Sequence, residues 1–168
     1  MIINLNNLKL PPNQAQDLHF EQRGSAELLE SWGGKFKQPF VVDGILLFDG
    51  KNYLVQGSVH TQVELGCSRC LKPVTYTVNA DFSALLIKES LQDEADLVDE
   101  DVVVYTGGMA DLTPLIEGII VSEIPMSLLC SEDCKGLCAI CGSNLNTKDC
   151  GCREDNIDPR WEKLKQLT

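Results

Sequence analysis

Tyr53-Leu54-Val55-Gln56-Gly57-Ser58-Val59-His60-Thr61-Gln62-Val63-Glu64-Leu65-Gly66-Cys67-Ser68-Arg69-Cys70-Leu71-Lys72-Pro73 is the stretch that settles how this chain folds. Tyr53, Val55, Gly57, Val59, Thr61, Val63 and Leu65 fall on one face of an extended backbone. Leu54, Gln56, Ser58, His60, Gln62 and Glu64 fall on the other. A repeat of two is the period of a strand with one buried face. After Pro73 the alternation resumes, with Val74, Tyr76, Val78, Ala80 and Phe82 inward and Thr75, Thr77, Asn79 and Asp81 outward. The Cys67-x-x-Cys70 pair is therefore expected at the tip of a long antiparallel hairpin.

Working outward, Phe40 to Phe48 reads as a preceding strand, joined through the turn signal Asp49-Gly50. Ile2 to Leu8 reads as a short strand closed by Pro11-Pro12, and Ser25 to Glu30 as a short helix stopped at Gly33-Gly34. Asn13 to Phe20 carries no decisive pattern. Downstream, Glu89 to Asp101 holds seven acids and no base, which predicts a solvated loop. It lacks the ligand order and the glycine of a calcium-binding EF-hand loop. Val102 to Tyr105 reads as a brief strand and Gly107-Gly108 as a turn. Thr113-Pro114 opens a helix, with threonine as N-cap and proline at the first helical position. Leu112, Leu115, Ile116, Ile119, Ile120 and Ile124 then recur at helical spacing, so one face packs on the sheet before Pro125 ends the helix. The predicted fold is α+β: an antiparallel, barrel-like β-sheet with one main packed helix over residues 1–128. A Cys-rich, zinc-ribbon-like tail with a short C-terminal helix follows over residues 129–168.

Six of the eight cysteines crowd into that tail: Cys130, Cys134, Cys138, Cys141, Cys150 and Cys152. Thiolates two residues apart on a turn converge on one tetrahedral cation, and eight of them fill two four-cysteine zinc sites. Such a site leaves no position for water and holds structure together. Two partitions are possible. Cys138, Cys141, Cys150 and Cys152 could close one site within the tail, leaving Cys67, Cys70, Cys130 and Cys134 for the other. Alternatively, Cys130, Cys134, Cys138 and Cys141 form one site and the remainder the second. The first is favoured because local loops close at lower entropic cost. A thioredoxin-like dithiol needs its first thiol at a helix N-terminus, and Cys67 is flanked by strands. Cys130 and Cys134 are the two that could instead be small buried hydrophobes.

The 168 residues suffice for one ordinary domain with an appendage. The opening Met1-Ile2-Ile3-Asn4 has no basic region before an apolar run, and Glu123-Ile124-Pro125 breaks the most apolar segment. Neither a signal peptide nor a membrane span is expected, which predicts a cytoplasmic protein with reduced thiols. Net charge is -11, concentrated in residues 1–129, which hold 8 Lys+Arg against 18 Asp+Glu. Residues 130–168 hold 6 against 7. So acidic a chain is a poor general polyanion binder, and nucleic-acid contact must be local or made through a basic partner. His19 and His60 are the only histidines and read as surface residues. With no nucleophile elbow, phosphate loop or dinucleotide fingerprint, no enzyme is expected.

Leu65-Gly66-Cys67-Ser68-Arg69-Cys70, the run from Ile124-Pro125-Met126 through Cys130, Cys134-Lys135-Gly136-Leu137-Cys138 and Cys141-Gly142, then Asn144-Leu145-Asn146, Cys150-Gly151-Cys152 and Asp158-Pro159-Arg160-Trp161 resemble the bacterial YceD family, the large ribosomal RNA subunit accumulation proteins. The resemblance spans most of the chain after the first forty residues. It implies a non-enzymatic factor for accumulation of large-subunit (23S) ribosomal RNA in bacteria and plastids. The partners so implied are that RNA or a pre-ribosomal particle, reached directly or through a basic ribosomal protein. In the tail, Lys135, Lys148, Arg153, Arg160, Lys163 and Lys165 gather beside Trp161, and Arg69 and Lys72 join them at the hairpin tip. A zinc-ordered tail could present these to phosphates and a stacked base. Against that reading, Trp161, Leu164 and Leu167 could form a small amphipathic helix docked on the body. A zinc-stabilised protein–protein adaptor is the second functional expectation, and a thiol–disulfide protein the third.

Overall fold

The computed structural model describes residues 1–8, 10–12, 14–90 and 101–152. In chain order the elements are β1 (Ile2–Asn4), β2 (Ala15–Gln22), α1 (Ala26–Glu30), β3 (Lys35–Phe36), β4 (Phe40–Phe48), β5 (Tyr53–Gly66), β6 (Pro73–Lys88), β7 (Asp101–Tyr105), β8 (Met109–Asp111) and α2 (Thr113–Glu123). The hairpin read from the alternation is the spine. β5 and β6 pair antiparallel from Tyr53↔Leu86 to Gly66↔Pro73, leaving Cys67 to Lys72 as the closing loop. Val55, Val59, Thr61, Val63, Leu65, Val78 and Ala80 are buried, while Gln56, His60, Asn79 and Asp81 face water. β6 runs to Lys88, six residues past the last position of the alternation, because buried Ala84 and Leu86 continue the pattern.

Several expectations are corrected. The sheet is open, not barrel-like: its order is β2-β4-β5-β6-β7, with β3 beside β5, and the edge strands β2 and β7 do not meet. A helix covers the apolar face instead, so closure is not needed to bury it. The sheet is also not wholly antiparallel, since β7 lies parallel to β6 from Ala84↔Asp101 to Lys88↔Tyr105. Alternation encodes which face is buried and says nothing of strand direction. Finally, the N-cap position of α2 is Leu112, not Thr113. Asp111 Oδ1 accepts both the Thr113 N–H (2.9 Å) and the Thr113 hydroxyl (2.7 Å), taking over the capping role from one residue upstream.

The opening strand is shorter than read. A 3-10 turn at Leu5–Asn7 ends it, and β1 pairs with β8 in a separate two-stranded sheet. The undecided segment becomes edge strand β2, where only Leu18, Phe20 and Gln22 are half-buried. One lightly covered face explains its weak pattern. The core joins Phe40, Val42, Leu46, Val55, Val59, Val63 and Leu86 of the sheet to Leu112, Ile116 and Ile120 of the helix region and Leu29 of α1. His60 sits on the open face with Asn79 (2.8 Å), and His19 pairs with Asp43 (2.6 Å). Most of the acidic stretch after β6, residues 91–100, lies outside the described residues, as does the expected short C-terminal helix. Among the described residues no helix is long and apolar enough to cross a membrane.

Candidate metal centres

The loop closing the β5–β6 hairpin is a tight knuckle. Leu71 N–H donates to the Cys67 carbonyl and Cys67 N–H to the Lys72 carbonyl, both at 2.9 Å. The same turn recurs in the tail, where Gly142 N–H donates to the Cys138 carbonyl at 2.9 Å. In each, the residue after the second cysteine is left-handed, with φ 59° at Leu71 and 71° at Gly142. Glycine adopts this conformation freely, whereas a side chain there costs about 1–2 kcal/mol. Leu71→Gly is therefore expected to stabilise the protein by about 0.5–1 kcal/mol, net of the freedom glycine adds to the unfolded chain. A rise in thermal midpoint checks this.

The chain leaving α2 is clamped to the hairpin tip. Ser68 N–H donates to the Leu128 carbonyl (2.8 Å), and Leu128 N–H donates to Ser68 Oγ (3.1 Å). This delivers Cys130 and Cys134 to Cys67 and Cys70. Cys67 Sγ lies 3.8 Å from Cys134 Sγ, and Cys70 Sγ lies 3.5 Å from Cys130 Sγ. All four sulfurs are within 4.8 Å of one another, as are those of Cys138, Cys141, Cys150 and Cys152. The arrangement is the local-loop partition of the sequence reading, and Cys130 and Cys134 are cluster members rather than filler. Such separations are far beyond a disulfide's ~2 Å bond. They match the ~3.8 Å edge of a sulfur tetrahedron around a cation with bonds of about 2.3 Å. The donor set and its shape thus fit a four-coordinate metal.

The two centres differ in cover. Cys67, Cys70 and Cys134 are buried among Val74, Leu129 and Leu137, in a small cluster apart from the main core. In the second centre Cys138 and Cys150 are half-buried and Cys141 and Cys152 exposed. Each centre also splits its thiols. Burial opposes ionisation of Cys67, but N–H groups of Arg69, Cys70 and Cys130 aimed at its sulfur bring it down to about 6. The Lys72 N–H favours the Cys70 thiolate, yet burial and the sulfurs of Cys130, Cys134 and Cys67 push it up to about 12. In the second centre the hydroxyl and N–H of Ser143 lower Cys141 to about 6, and the neighbouring sulfurs of Cys141 and Cys150 raise Cys152 to about 12. Four thiols this close cannot all ionise together without a cation among them.

Groups that the sequence reading did not assign support the first centre. Asn146 Nδ2 donates to Cys134 Sγ (3.4 Å) while its Oδ1 accepts the Lys135 N–H (2.8 Å), so one side chain ties the tail's turn to a ligand. The signal available was the Asn144-Leu145-Asn146 run, since asparagines beside cysteine turns commonly satisfy backbone and sulfur together. Asn146→Ala is expected to weaken metal binding at the first centre about 10–100-fold, as losses around a ligand shell typically do. Competition with a chromogenic chelator measures it. Among the basic candidates, Arg69 donates from Nη1 to the Cys134 carbonyl (2.8 Å) and is partly committed to structure. Lys72, Lys135 and Lys148 are exposed. Arg153, Arg160, Trp161, Lys163 and Lys165 lie outside the described residues.

Fold and sulfur clusters together define an α+β scaffold carrying two candidate four-thiolate metal centres, one buried and one open. The chain belongs to the YceD family: the family model described as large ribosomal RNA subunit accumulation protein YceD matches residues 55–168. It is similar to the chloroplastic large ribosomal RNA subunit accumulation protein YCED homolog 1 of Zea mays, with 27% identity over 92% of this chain and 62% of that protein. An uncharacterised protein of Mycobacterium tuberculosis is 36% identical over 68% of this chain and 55% of its own length. The Bacillus subtilis protein YlbN is 28% identical over 77% of this chain and 74% of its own. The chain thus spans less than two thirds of the maize and mycobacterial relatives. No solved structure matches it.

Proposed function

We propose that this protein serves in the accumulation of large-subunit (23S) ribosomal RNA in the cytoplasm, by binding the RNA or a precursor particle without catalysing a reaction. Both cysteine quartets hold structural zinc in this reading. Membership of a family named for that process supports the role. The convergence of four sulfurs at each centre carries the structural half of it. Zinc suits a four-thiolate site, and it would supply a fixed cross-link between the hairpin tip, the exit of α2 and the tail. Exposed Lys72, Lys135 and Lys148 then stand on a rigid end of an otherwise acidic molecule.

The acidity of residues 1–129 favours a second reading, a zinc-stabilised adaptor that meets only a basic ribosomal protein. Gradient sedimentation of precursor particles with the added protein, with and without ribonuclease, separates the two. Direct capture of large-subunit RNA by the purified protein supports the first. Capture of ribosomal protein after RNA removal supports the second, and association with neither refutes both. Native mass spectrometry should find two zinc ions per chain, and free thiols with no metal would remove the zinc assignment.

A further inference from the structure

Outside the metal centres, the bend between β2 and α1 faces the β3–β4 break across a cleft of about 330 Å³. Arg23, Lys35 and Lys37 line it together with Gly24, Phe36 and Pro39, and no carboxylate does. That is three of the eight Lys and Arg residues in the acidic first 129 positions. We propose that this cleft is a binding site for single-stranded RNA, with the three bases on phosphates and a base lodged against Phe36. The proposal rests on the RNA-binding reading above and deepens it by placing the contact away from the cysteine-rich tail.

The cleft is built, not incidental. The Phe36 ring lies so close over Gly24 that a Cβ there would come within 2.2 Å of it, so glycine keeps that wall in place. Lys37 N–H donates to the Gln62 carbonyl (2.8 Å), and the buried Thr61 hydroxyl donates to the Gln38 carbonyl (3.2 Å), pinning the break to β5. Glu64 holds Lys35 at 2.9 Å and approaches Lys37 at 3.9 Å, and Lys37 Nζ also donates to Thr75 Oγ1 (3.2 Å). Glu64 removes one charge of the three while orienting two ammonium groups. Arg23 has no ion pair among the described residues and is exposed, which leaves its guanidinium available to phosphate or a base face.

A second cleft of about 160 Å³ shares Lys35, is lined also by its counter-ion Glu64, and continues to Gly66, Leu71 and Pro73 at the hairpin tip. Exposed Lys72 and the first cysteine quartet stand directly beyond. The two recesses adjoin at Lys35, and the basic lining is concentrated in the larger one. The larger recess is near the lower end of the about 300–1,000 Å³ range of small-ligand sites, which suits a splayed nucleotide.

The test uses the metal-loaded full chain and a short fluorescein-labelled single-stranded RNA, with anisotropy read over a series of salt concentrations. Arg23→Ala with Lys37→Ala should weaken binding at least about tenfold and flatten the log–log salt slope by about 1.4, since each single-strand phosphate contact contributes about 0.7. Arg23→Lys with Lys37→Arg should retain binding. Should the double alanine variant fold poorly by circular dichroism, Arg23→Ala alone should flatten the slope by about 0.7. A wild type that binds while the alanine variants keep its affinity and slope overturns the cleft and leaves the RNA reading standing. A wild type that binds no RNA overturns both.

Discussion

Cys67→Ser should leave one metal ion per chain instead of two and release the segment around residues 128–137 from the hairpin tip, while the sheet stays folded. The reason lies in two separate hydrophobic clusters. The main core runs through Phe40, Val59, Leu86, Ile116 and Ile120 and includes no cysteine. Cys67, Cys70 and Cys134 centre a second, small one with Leu129 and Leu137 around it. Four-thiolate structural zinc binds peptides with roughly 10–16 kcal/mol of apparent free energy, so the loss of one thiolate of four forfeits about 3 kcal/mol or more at that centre. Cys67 also accepts the Cys130 N–H at 3.4 Å, a contact that serine's shorter side chain does not reach well. Hydrogen exchange should therefore quicken at residues 128–137 and remain slow in β4 and β5. Cys141→Ser makes the contrast: its sulfur is exposed, so one ion is again lost but protection at Leu128 and Cys130 persists. A Cys67→Ser protein that keeps two ions, or one that loses the sheet, contradicts this account.

The contrast also shows how far the residues alone could be read. The hairpin and its cysteine-bearing tip were legible because Tyr53 to Phe82 keep a period of two without interruption except at the turn. Spacing favoured the composition of each quartet over the one alternative without deciding it, since short loops bring Cys138 and Cys141 to Cys150 and Cys152 at little entropic cost. The direction of β7 was not legible, as Val102, Val103 and Val104 would show the same pattern beside β6 in either sense. Closure into a barrel failed for a related reason. Leu18 and Phe20 mark β2 as half-covered, but nothing in them says whether a neighbour or open solvent lies on the far edge. The basic cleft was hidden because Arg23 and Lys37 are fourteen positions apart and meet only through the β3–β4 break. Its Glu64 counter-ion comes from yet another strand.

Gly57→Val should have the opposite signature, a large loss of global stability with both metal ions retained below the melting transition. Gly57 faces Gly44 across β4 and β5. A Cβ on Gly57 would lie 2.4 Å from the Asp43 carbonyl oxygen and 2.8 Å from the Gly44 Cα, and one on Gly44 would lie 2.4 Å from the Gln56 carbonyl oxygen. Those are backbone atoms in hydrogen-bonded strands, so no side-chain rotation relieves the overlap. Overpacking of this kind costs about 1–3 kcal/mol when side chains give way, and the fixed backbone here puts the expected loss at the upper end, about 3 kcal/mol. The site lies mid-sheet, whereas the knuckle closes beyond Gly66↔Pro73, so the sulfur geometry should survive. Chemical denaturation against native mass spectrometry reads both quantities on one sample. If metal and sheet stability fell together in both Cys67→Ser and Gly57→Val, the centres would be part of the folding core itself, and the separation of the two hydrophobic clusters would have no energetic meaning.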